Sequence, residues 1–320
     1  MAENKKGMVW SMIEKGSLIL SPLFKYTRYP FRVLATEYGA SVTITEMVSI
    51  KSFLAHFSKK FNLNTYRLIY TDSKEKNVGI QIFGNEPKEF EEVGSEIEDK
   101  TKFKFINVNL GCSKKKISQQ NMGAALLRHP ELVEKLVNSL SKGTNLPITL
   151  KVRIGWNRNV LPEIVKIAEE YSNPWIIIHT RYGTETFATP AHLEVINEIS
   201  NKTDLPIIAN GDIFSFEDIE EYMKRGAYAV AIGRWAKGRP YIFMGKENAS
   251  WEEKVELLDK FIEYTIRMYK DCDEITTDLE LIKRFALDLT KNEPGGREIR
   301  RELIACKSVN DLKYYFIIEI

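Results

Sequence analysis

The amino-acid sequence predicts an α/β protein, a TIM (β/α)8 barrel followed by a smaller all-helical C-terminal domain. Short apolar runs alternate with amphipathic stretches eight times, whereas only long helical patterns follow residue 248. The length of 320 residues also exceeds that of a typical barrel, about 250 residues. We therefore predict a barrel domain over residues 1–248 and a helical domain over residues 249–320. A doubly wound open sheet is the alternative fold.

Eight apolar segments have the composition of buried parallel strands, which are continuously hydrophobic because both faces of such a sheet are covered. Several amphipathic stretches between them begin with proline or an acidic residue, as helices do. The predicted strands are 18–20, 41–45, 78–83, 105–109, 148–154, 175–179, 207–210 and 229–232. The predicted helices include 87–100, 130–140, 162–170 and 216–225.

The C-terminal part consists of helical patterns at 251–271, 277–290, 297–305 and 309–316, with a Pro-Gly-Gly break before the third. Residues 251–320 carry 12 Lys and Arg against 16 Asp and Glu, although the whole chain has a net charge of +2. One basic stretch in this acidic tail fits either phosphate contacts or a solvated helix face. Its members are Lys283, Arg284, Lys291, Arg297, Arg300 and Arg301.

The composition excludes several classes of protein. With 43% hydrophobic and 28% charged residues, the chain resembles soluble globular proteins rather than disordered ones. No apolar run approaches the roughly 18 residues of a membrane span, and residues 1–6 lead into no signal-like stretch. We therefore expect a cytoplasmic protein with no membrane association. Cys112, Cys272 and Cys306 are widely spaced and lack CxxC or histidine partners, so we expect free thiols and no metal site.

Polar residues follow most of the predicted strands, and in a parallel barrel they converge at the carboxyl ends, where active sites lie. Glycines follow the last two strands, where loops commonly bind phosphate, so a phosphorylated cofactor fits this end. In strand order the residues are Ser21, Pro22, Leu23, Gln81, Asn109, Cys112, Lys151, Arg153, His179, Arg181, Asn210, Gly211, Asp212, Gly233 and Arg234.

Cys112 is the most informative of these residues, because it follows a buried strand at a glycine turn, where an α/β enzyme can present a reactive group. A small buried side chain is the alternative interpretation of a lone cysteine. Lys151 favours function because an unpaired ammonium is costly to bury. His179 fits a satisfied core histidine equally well. Gln81 and Asn109 fit either a binding site or the fastening of loops.

Taken in order, these motifs resemble the dihydrouridine synthases, flavin-dependent enzymes that reduce uridine in transfer RNA. The resemblance covers roughly residues 17–315. Its most specific part is Asn109-Leu110-Gly111-Cys112, followed by Gly123-Ala124-Ala125-Leu126-Leu127-Arg128. The other similar segments are residues 21–32, 45–47, 150–156, 179–181, 208–213, 232–234 and 294–301.

The sequence also departs from the family pattern. Leu23 stands where methionine is usual, and Lys25 and Arg28 replace a glycine and an aspartate. Ser113 replaces the proline that usually follows the cysteine, and Tyr182 ends a segment that usually has the pattern His-Gly-Arg-Thr. These departures leave the thiol, the lysine and the histidine in place, so they bear on which RNA and which uridine is the target.

The resemblance implies FMN as bound cofactor, NADPH as reductant and tRNA as substrate, and we expect a monomer. The residues implied for the cofactor are Ser21, Pro22, Leu23, Gln81, Lys151, His179, Asn210, Gly211, Asp212, Gly233 and Arg234. For the uracil they are Asn109 and Arg153, with Arg181 and Phe187 as further candidates. We expect RNA phosphates to contact Lys114, Lys115, Lys116, Arg297, Arg300 and Arg301.

The implied reaction adds a hydride to carbon-6 of uracil, supplied by flavin, and a proton to carbon-5. Unperturbed thiols have a pKa of about 8.5 and carry their proton at neutral pH. Cys112 is therefore the candidate acid, with a thiolate nucleophile as the alternative. The sequence contains no Rossmann fingerprint, which fits a nicotinamide that visits the same flavin face in turn.

Two other functions fit parts of the sequence. A flavin oxidoreductase acting on a free pyrimidine or another small molecule would share the barrel and the phosphate site but would not need residues 250–320. A non-catalytic RNA-binding barrel would be purified without bound flavin.

Overall fold

The computed structural model describes residues 12–58, 60–171, 173–272 and 277–318. Within these ranges eight parallel strands close into a barrel in chain order, with the last strand paired to the first. They are β1 (Leu18–Leu20), β2 (Val42–Ser49), β3 (Val78–Phe83), β4 (Phe105–Leu110), β5 (Ile148–Arg153), β6 (Ile176–His179), β7 (Ile207–Asn210) and β8 (Ala229–Ile232). The predicted barrel is confirmed, and the closure of the sheet excludes the doubly wound alternative. Residues 1–6, on which the prediction of no signal segment rests, lie outside the described residues.

Helices surround the barrel and connect its strands. They are α1 (Tyr29–Glu37), α2 (Ile50–Ser58), α3 (Leu63–Ile69), α4 (Pro87–Lys100), α5 (Lys115–Ser118), α6 (Pro130–Gly143), α7 (Leu161–Glu170), α8 (Glu194–Ser200) and α9 (Phe216–Lys224). Short 3₁₀ helices cover Gly123–Arg128, Arg234–Ala236 and Pro240–Met244. Pro87 and Pro130 stand in the first turn of α4 and α6, as predicted from their fixed φ.

The amino-terminal half of the barrel interior is filled by apolar side chains. Phe105 and Trp175 meet edge to face with ring centroids 5.5 Å apart, and both are buried. Gly79 makes room for Phe105, because a Cβ atom at this position would lie 2.2 Å from the Phe105 ring. This packing closes the barrel at one end, so the polar residues of the strands face a cavity at the other.

Strand β2 continues four residues beyond the predicted segment. The buried carboxylate of Glu46 interrupts the apolar run, and the pairing with β3 shifts register between Ile44 and Met47. Glu46 accepts hydrogen bonds from the Lys25 amide and the Arg28 guanidinium. A satisfied polar residue can therefore lie inside a strand that the apolar pattern alone would end.

In the described part of the tail, four helices follow the barrel: α10 (Trp251–Met268), α11 (Leu279–Leu289), α12 (Gly296–Ala305) and α13 (Val309–Ile318). Phe261 of α10 stacks on Phe285 of α11 with centroids 4.1 Å apart, and Phe285 contacts Phe31 of α1. The tail is therefore helical and packs on the barrel through α1. The division into two domains at residue 248 stays a prediction. No helix in the described ranges is both long and apolar enough to cross a membrane.

Candidate active site

A cavity of about 290 Å³ opens at the carboxyl ends of the strands, and all eight strands or the loops after them contribute to its wall. This volume lies near the lower end of the range for small-molecule sites. All the residues predicted for the cofactor line it: Ser21, Pro22, Leu23, Gln81, Lys151, His179, Asn210, Gly211, Asp212, Gly233 and Arg234. Cys112, Asn109, Arg153, Phe187 and Lys114 also line it.

A row of amides crosses the cavity floor. Gln81 Nε2 donates to Asn107 Oδ1 at 2.7 Å, and Asn107 Nδ2 donates to Thr149 Oγ1 at 2.7 Å. Asn109 Nδ2 donates to Gln81 Oε1 at 2.8 Å. These buried side chains satisfy one another, so the floor is a rigid polar network rather than a set of independent side chains.

The same network positions the Cys112 loop. Asn109 Oδ1 accepts the amide N–H groups of Gly111 and Cys112 at 3.3 and 3.0 Å. On the other side, the Cys112 carbonyl accepts the Ala124 N–H at 2.9 Å, and Gly123 adopts a φ of 60°. A Cβ atom on Gly123 would lie 2.6 Å from that carbonyl oxygen. The Gly-Ala spacing after the cysteine therefore has a structural cause: it holds the loop that carries the half-buried thiol.

Lys151 on β5 carries a half-buried positive charge. Its Nζ donates to Asn210 Oδ1 at 2.9 Å, a neutral acceptor on β7. Burial and then the nearby Arg153 guanidinium lower the pKa of Lys151 to about 8. The ammonium thus faces the cavity, and no carboxylate of the described residues is among its hydrogen-bond partners.

His179 ends β6, where strand pairing places it beside Arg153 and Asn210. Burial, reinforced by the charges of Lys151 and Arg153, lowers the pKa of His179 well below its usual value. The imidazole is therefore neutral at physiological pH. Its Nδ1 is buried and has no hydrogen-bond partner among the described residues, so this atom is available to a ligand.

Arg153 is fastened to three carbonyl groups. Its Nε donates to Gly111 O at 3.0 Å, and its Nη1 donates to the carbonyls of Tyr182 and Glu185. Nη2 remains outside these hydrogen bonds. Burial and then the Arg181 charge lower the pKa of Arg153.

Asp212 supplies the carboxylate of this wall. It accepts from Arg181 Nη2 and, at 2.8 Å, from Arg234 Nη2. The Arg234 guanidinium also lies 4.0 Å from the centroid of the Phe187 ring and 4.9 Å from that of Phe214. Asp212 therefore positions two arginines, and the cavity keeps an excess of positive charge that suits an anionic ligand.

Several predicted substrate residues lie outside the cavity wall. Arg181 is fully buried behind it, bound to Asp212 and to Thr189 O. The exposed Lys115 and Lys116 lie on α5 beside the opening, and Arg297, Arg300 and Arg301 lie on α12. Arg300 Nη1 donates to Thr290 O at 2.8 Å and so also fastens the end of α11.

The cavity also includes residues that the sequence did not single out as site residues. They are Phe24, Met47, Gly111, Ser113, Ile213 and Phe214. Each lies within two residues of a predicted site residue or on a recognised motif, which is the signal that could have identified them. Within the described residues, no group of three His, Cys, Asp or Glu side chains is placed to bind a metal.

Comparison with protein families decides the assignment. The model of the family described as dihydrouridine synthase (Dus) matches residues 19–315. The chain belongs to the dihydrouridine synthase family. It is 34% identical over 247 residues to tRNA-dihydrouridine synthase B of Pasteurella multocida, covering 76% of this chain and 72% of that protein. It is 33% identical over 235 residues to tRNA-dihydrouridine synthase B of Escherichia coli K12, covering 72% of this chain and 70% of that protein.

Among solved structures, the old yellow enzyme from Trypanosoma cruzi has a similar fold. The TM-score is 0.50 at 11% identity, with 71% of this chain and 88% of that chain covered. At this level of identity the likeness concerns the barrel alone. This dihydrouridine synthase is thus an enzyme of an oxidoreductase family, as predicted, built on the barrel that the sequence indicates.

Proposed function

We propose that this dihydrouridine synthase reduces uridine in tRNA to 5,6-dihydrouridine, with FMN as bound cofactor and NADPH as reductant. The observation that carries the proposal is the meeting of Cys112, Lys151 and His179 on one cavity. The names of the relatives, tRNA-dihydrouridine synthase B, support uridine in tRNA as the substrate. Cytoplasmic location, which the tRNA substrate favours, is part of the same proposal.

The cavity has the features that a flavin phosphate cofactor requires. The unpartnered, buried Nδ1 of His179 can bond a polar atom of a ligand, and Lys151 offers an ammonium beside it. Gly211 and Gly233 line the cavity at the ends of β7 and β8, next to Arg234, and Gly233 is the half-buried one of the two. We assign these residues, with Gln81, Asp212 and the Ser21–Pro22–Leu23 segment, to the cofactor.

Bound flavin supplies the hydride that uracil accepts at carbon-6. The residues of this chain supply what remains: a proton for carbon-5 and the positioning of the base. Cys112 is the proposed proton donor, because its loop is fixed from both sides and the residue lines the cavity. We assign Arg153 Nη2 to contact a uracil carbonyl, since the other nitrogens of this side chain are bonded to backbone carbonyls. Asn109 positions the Cys112 loop and is also assigned to contact the edge of the base.

The target base must leave its stack to reach this cavity, which costs a few kcal/mol. Contacts elsewhere on the RNA must offset that cost. We assign this role to Lys114, Lys115 and Lys116 beside the opening, and to a helical RNA-binding domain over residues 249–320 with Arg297, Arg300 and Arg301.

The substitution Cys112→Ala tests the proposal. We expect the purified variant to keep its flavin absorbance and its reduction by NADPH, while the reduction of uridine in unmodified tRNA falls by about 100-fold or more. Cys272→Ala, which removes a thiol from the C-terminal region, is the matched control and should turn over like the wild type. Full turnover by Cys112→Ala would remove the thiol from catalysis, and reduction of free uridine at the rate of tRNA would favour a small-molecule substrate.

A further inference from the structure

Three phenylalanine rings stand exposed on the rim of the active-site cavity. Phe24 follows β1, Phe187 precedes α8 and Phe214 follows β7; they expose 60%, 60% and 47% of their surface. Exposed apolar residues scattered singly over a protein surface are ordinary. Three large rings around one opening are a cluster, and clusters of this kind mark contact surfaces.

Each of these rings lies against a cation. Lys114 Nζ, from the Cys112 loop, lies 3.6 Å from the centroid of the Phe24 ring. The Arg234 guanidinium contacts both Phe187 and Phe214 and is itself held by Asp212 at 2.8 Å. Cation–π contacts therefore fix the rings while leaving about half of each ring or more open to solvent.

The closed order of the barrel places β6, β7, β8 and β1 side by side. The three rings thus occupy one continuous arc of the rim, and the Lys114 contact reaches this arc from the loop after β4. A polynucleotide whose uridine enters the cavity must lay its neighbouring nucleotides across the rim. Aromatic faces next to positive charge are what single-stranded nucleic acid binds without regard to sequence.

We propose that Phe24 and Phe214 stack on nucleobases that flank the target uridine, and that Lys114 contacts the phosphate next to the base on Phe24. This inference rests on the proposed function in taking RNA as the substrate. It adds a role for two rings outside the reacting group, and it makes the rim tolerant of which bases stand beside the uridine.

The variants Phe24→Leu and Phe214→Leu test whether these two rings stack on nucleobases. Phe24→Trp is the conservative replacement. Kd would be measured with a pool of unmodified tRNA and with a labelled single-stranded oligouridylate, and KM and kcat with tRNA and NADPH. We expect each leucine variant to raise Kd and KM for RNA about tenfold, with kcat, KM for NADPH and the flavin spectrum unchanged. Phe24→Trp should keep wild-type affinity because it keeps an aromatic face.

Phe61→Leu is the matched control: Phe61 is 56% exposed but does not line the cavity, so its loss should change neither constant. RNA affinity equal to wild type in both leucine variants would refute base stacking on the rim, but it would not contradict the proposed reduction of uridine. A raised KM for NADPH with unchanged RNA affinity would also refute it, by assigning the rings to the nicotinamide. If the leucine variants bind RNA more weakly but the wild-type protein reduces no uridine, base stacking on the rim would be supported and the proposed function would be overturned.

Discussion

Lys151 is a half-buried ammonium whose hydrogen bond goes to the neutral amide of Asn210. Burial without a carboxylate partner lowers its pKa to about 8, against 10.4 in an unfolded chain. Between these values the unfolded chain binds more protons than the folded one. The free energy of unfolding therefore rises with pH across this window, and the cost of burying the charge is fully present below about pH 8.

An anionic ligand in the cavity should relieve this cost and raise the pKa of Lys151. We therefore expect the affinity of the apoprotein for FMN to fall as pH rises above about 8, by up to about tenfold per pH unit. Titrations of the apoprotein with FMN, followed by FMN fluorescence at several values between about pH 7 and 9.5, measure this change in Kd. Lys151→Arg keeps its charge throughout this range and should bind FMN with a pH-independent Kd. A wild-type Kd that stays constant over the range would contradict the assignment of Lys151 to the cofactor.

The Cys112 loop depends on a helix that follows it in the chain, because Gly123 opens the 3₁₀ helix against the Cys112 carbonyl. Gly123→Ala would place a Cβ atom 2.6 Å from that oxygen, at a φ of 60°. We expect a loss of about 1–2 kcal/mol of unfolding free energy from the backbone conformation. Displacement of the thiol should lower kcat for uridine reduction by about 100-fold.

Gly245→Ala separates these two effects. Gly245 has a φ of 82°, but no atom of the described residues lies within 4 Å of a Cβ atom there. We expect this variant to lose similar stability in denaturant unfolding and to keep its kcat. Equal kcat in the two variants would mean that the loop tolerates displacement and that its position does not limit the reaction.

The strands illustrate how far local sequence determines an element. Continuous apolar runs identified all eight, but the end of β2 was wrong by four residues because Glu46 is satisfied by Lys25 and Arg28 from the β1 loop. The hydrogen-bond partners of a buried carboxylate are set by the tertiary fold, so no local pattern could supply them. Arg28 also joins Asp278, the N-cap of α11, at 2.9 Å. Its departure from the family pattern thus has a structural role in fastening the tail to the barrel.

The candidate site could be predicted where barrel topology alone brings residues together. Every residue assigned to the cofactor lines the cavity, because the carboxyl ends of parallel strands converge. Residues in long loops were less predictable: Phe24 and Phe214 line the rim, whereas Arg181 turns behind the wall to meet Asp212. The direction of a loop side chain depends on contacts far away in sequence, so the motif identifies the residue but not its exposure.

The tail packs on the barrel through side chains that are distant in sequence. Arg267 of α10 pairs with Asp72 at 2.5 Å, and Arg284 of α11 donates to the Lys25 carbonyl at 2.7 Å. Part of the basic stretch is therefore used to join tail and barrel rather than left to solvent. Arg300 is used within the tail, where it fastens the end of α11 through Thr290, whereas Arg297 and Arg301 are exposed on α12.

This division of the basic stretch leads to a prediction about RNA binding by the whole molecule. Each phosphate contact that is lost should reduce the dependence of log Kd on log salt by about 0.7–0.9. We expect Arg297→Gln combined with Arg301→Gln to reduce this slope for unmodified tRNA by roughly 1.5. We expect kcat to stay unchanged, because both side chains lie far from Cys112 in the chain and on a different element. Arg300 is left intact because its loss would disturb the end of α11.

Lys166→Gln combined with Lys224→Gln is the control. These lysines lie on the exposed faces of α7 and α9, so the double variant removes the same charge from the barrel and should leave the slope unchanged. Equal slopes for both double variants across about 50–300 mM salt would mean that net charge, and not a tail surface, governs RNA binding.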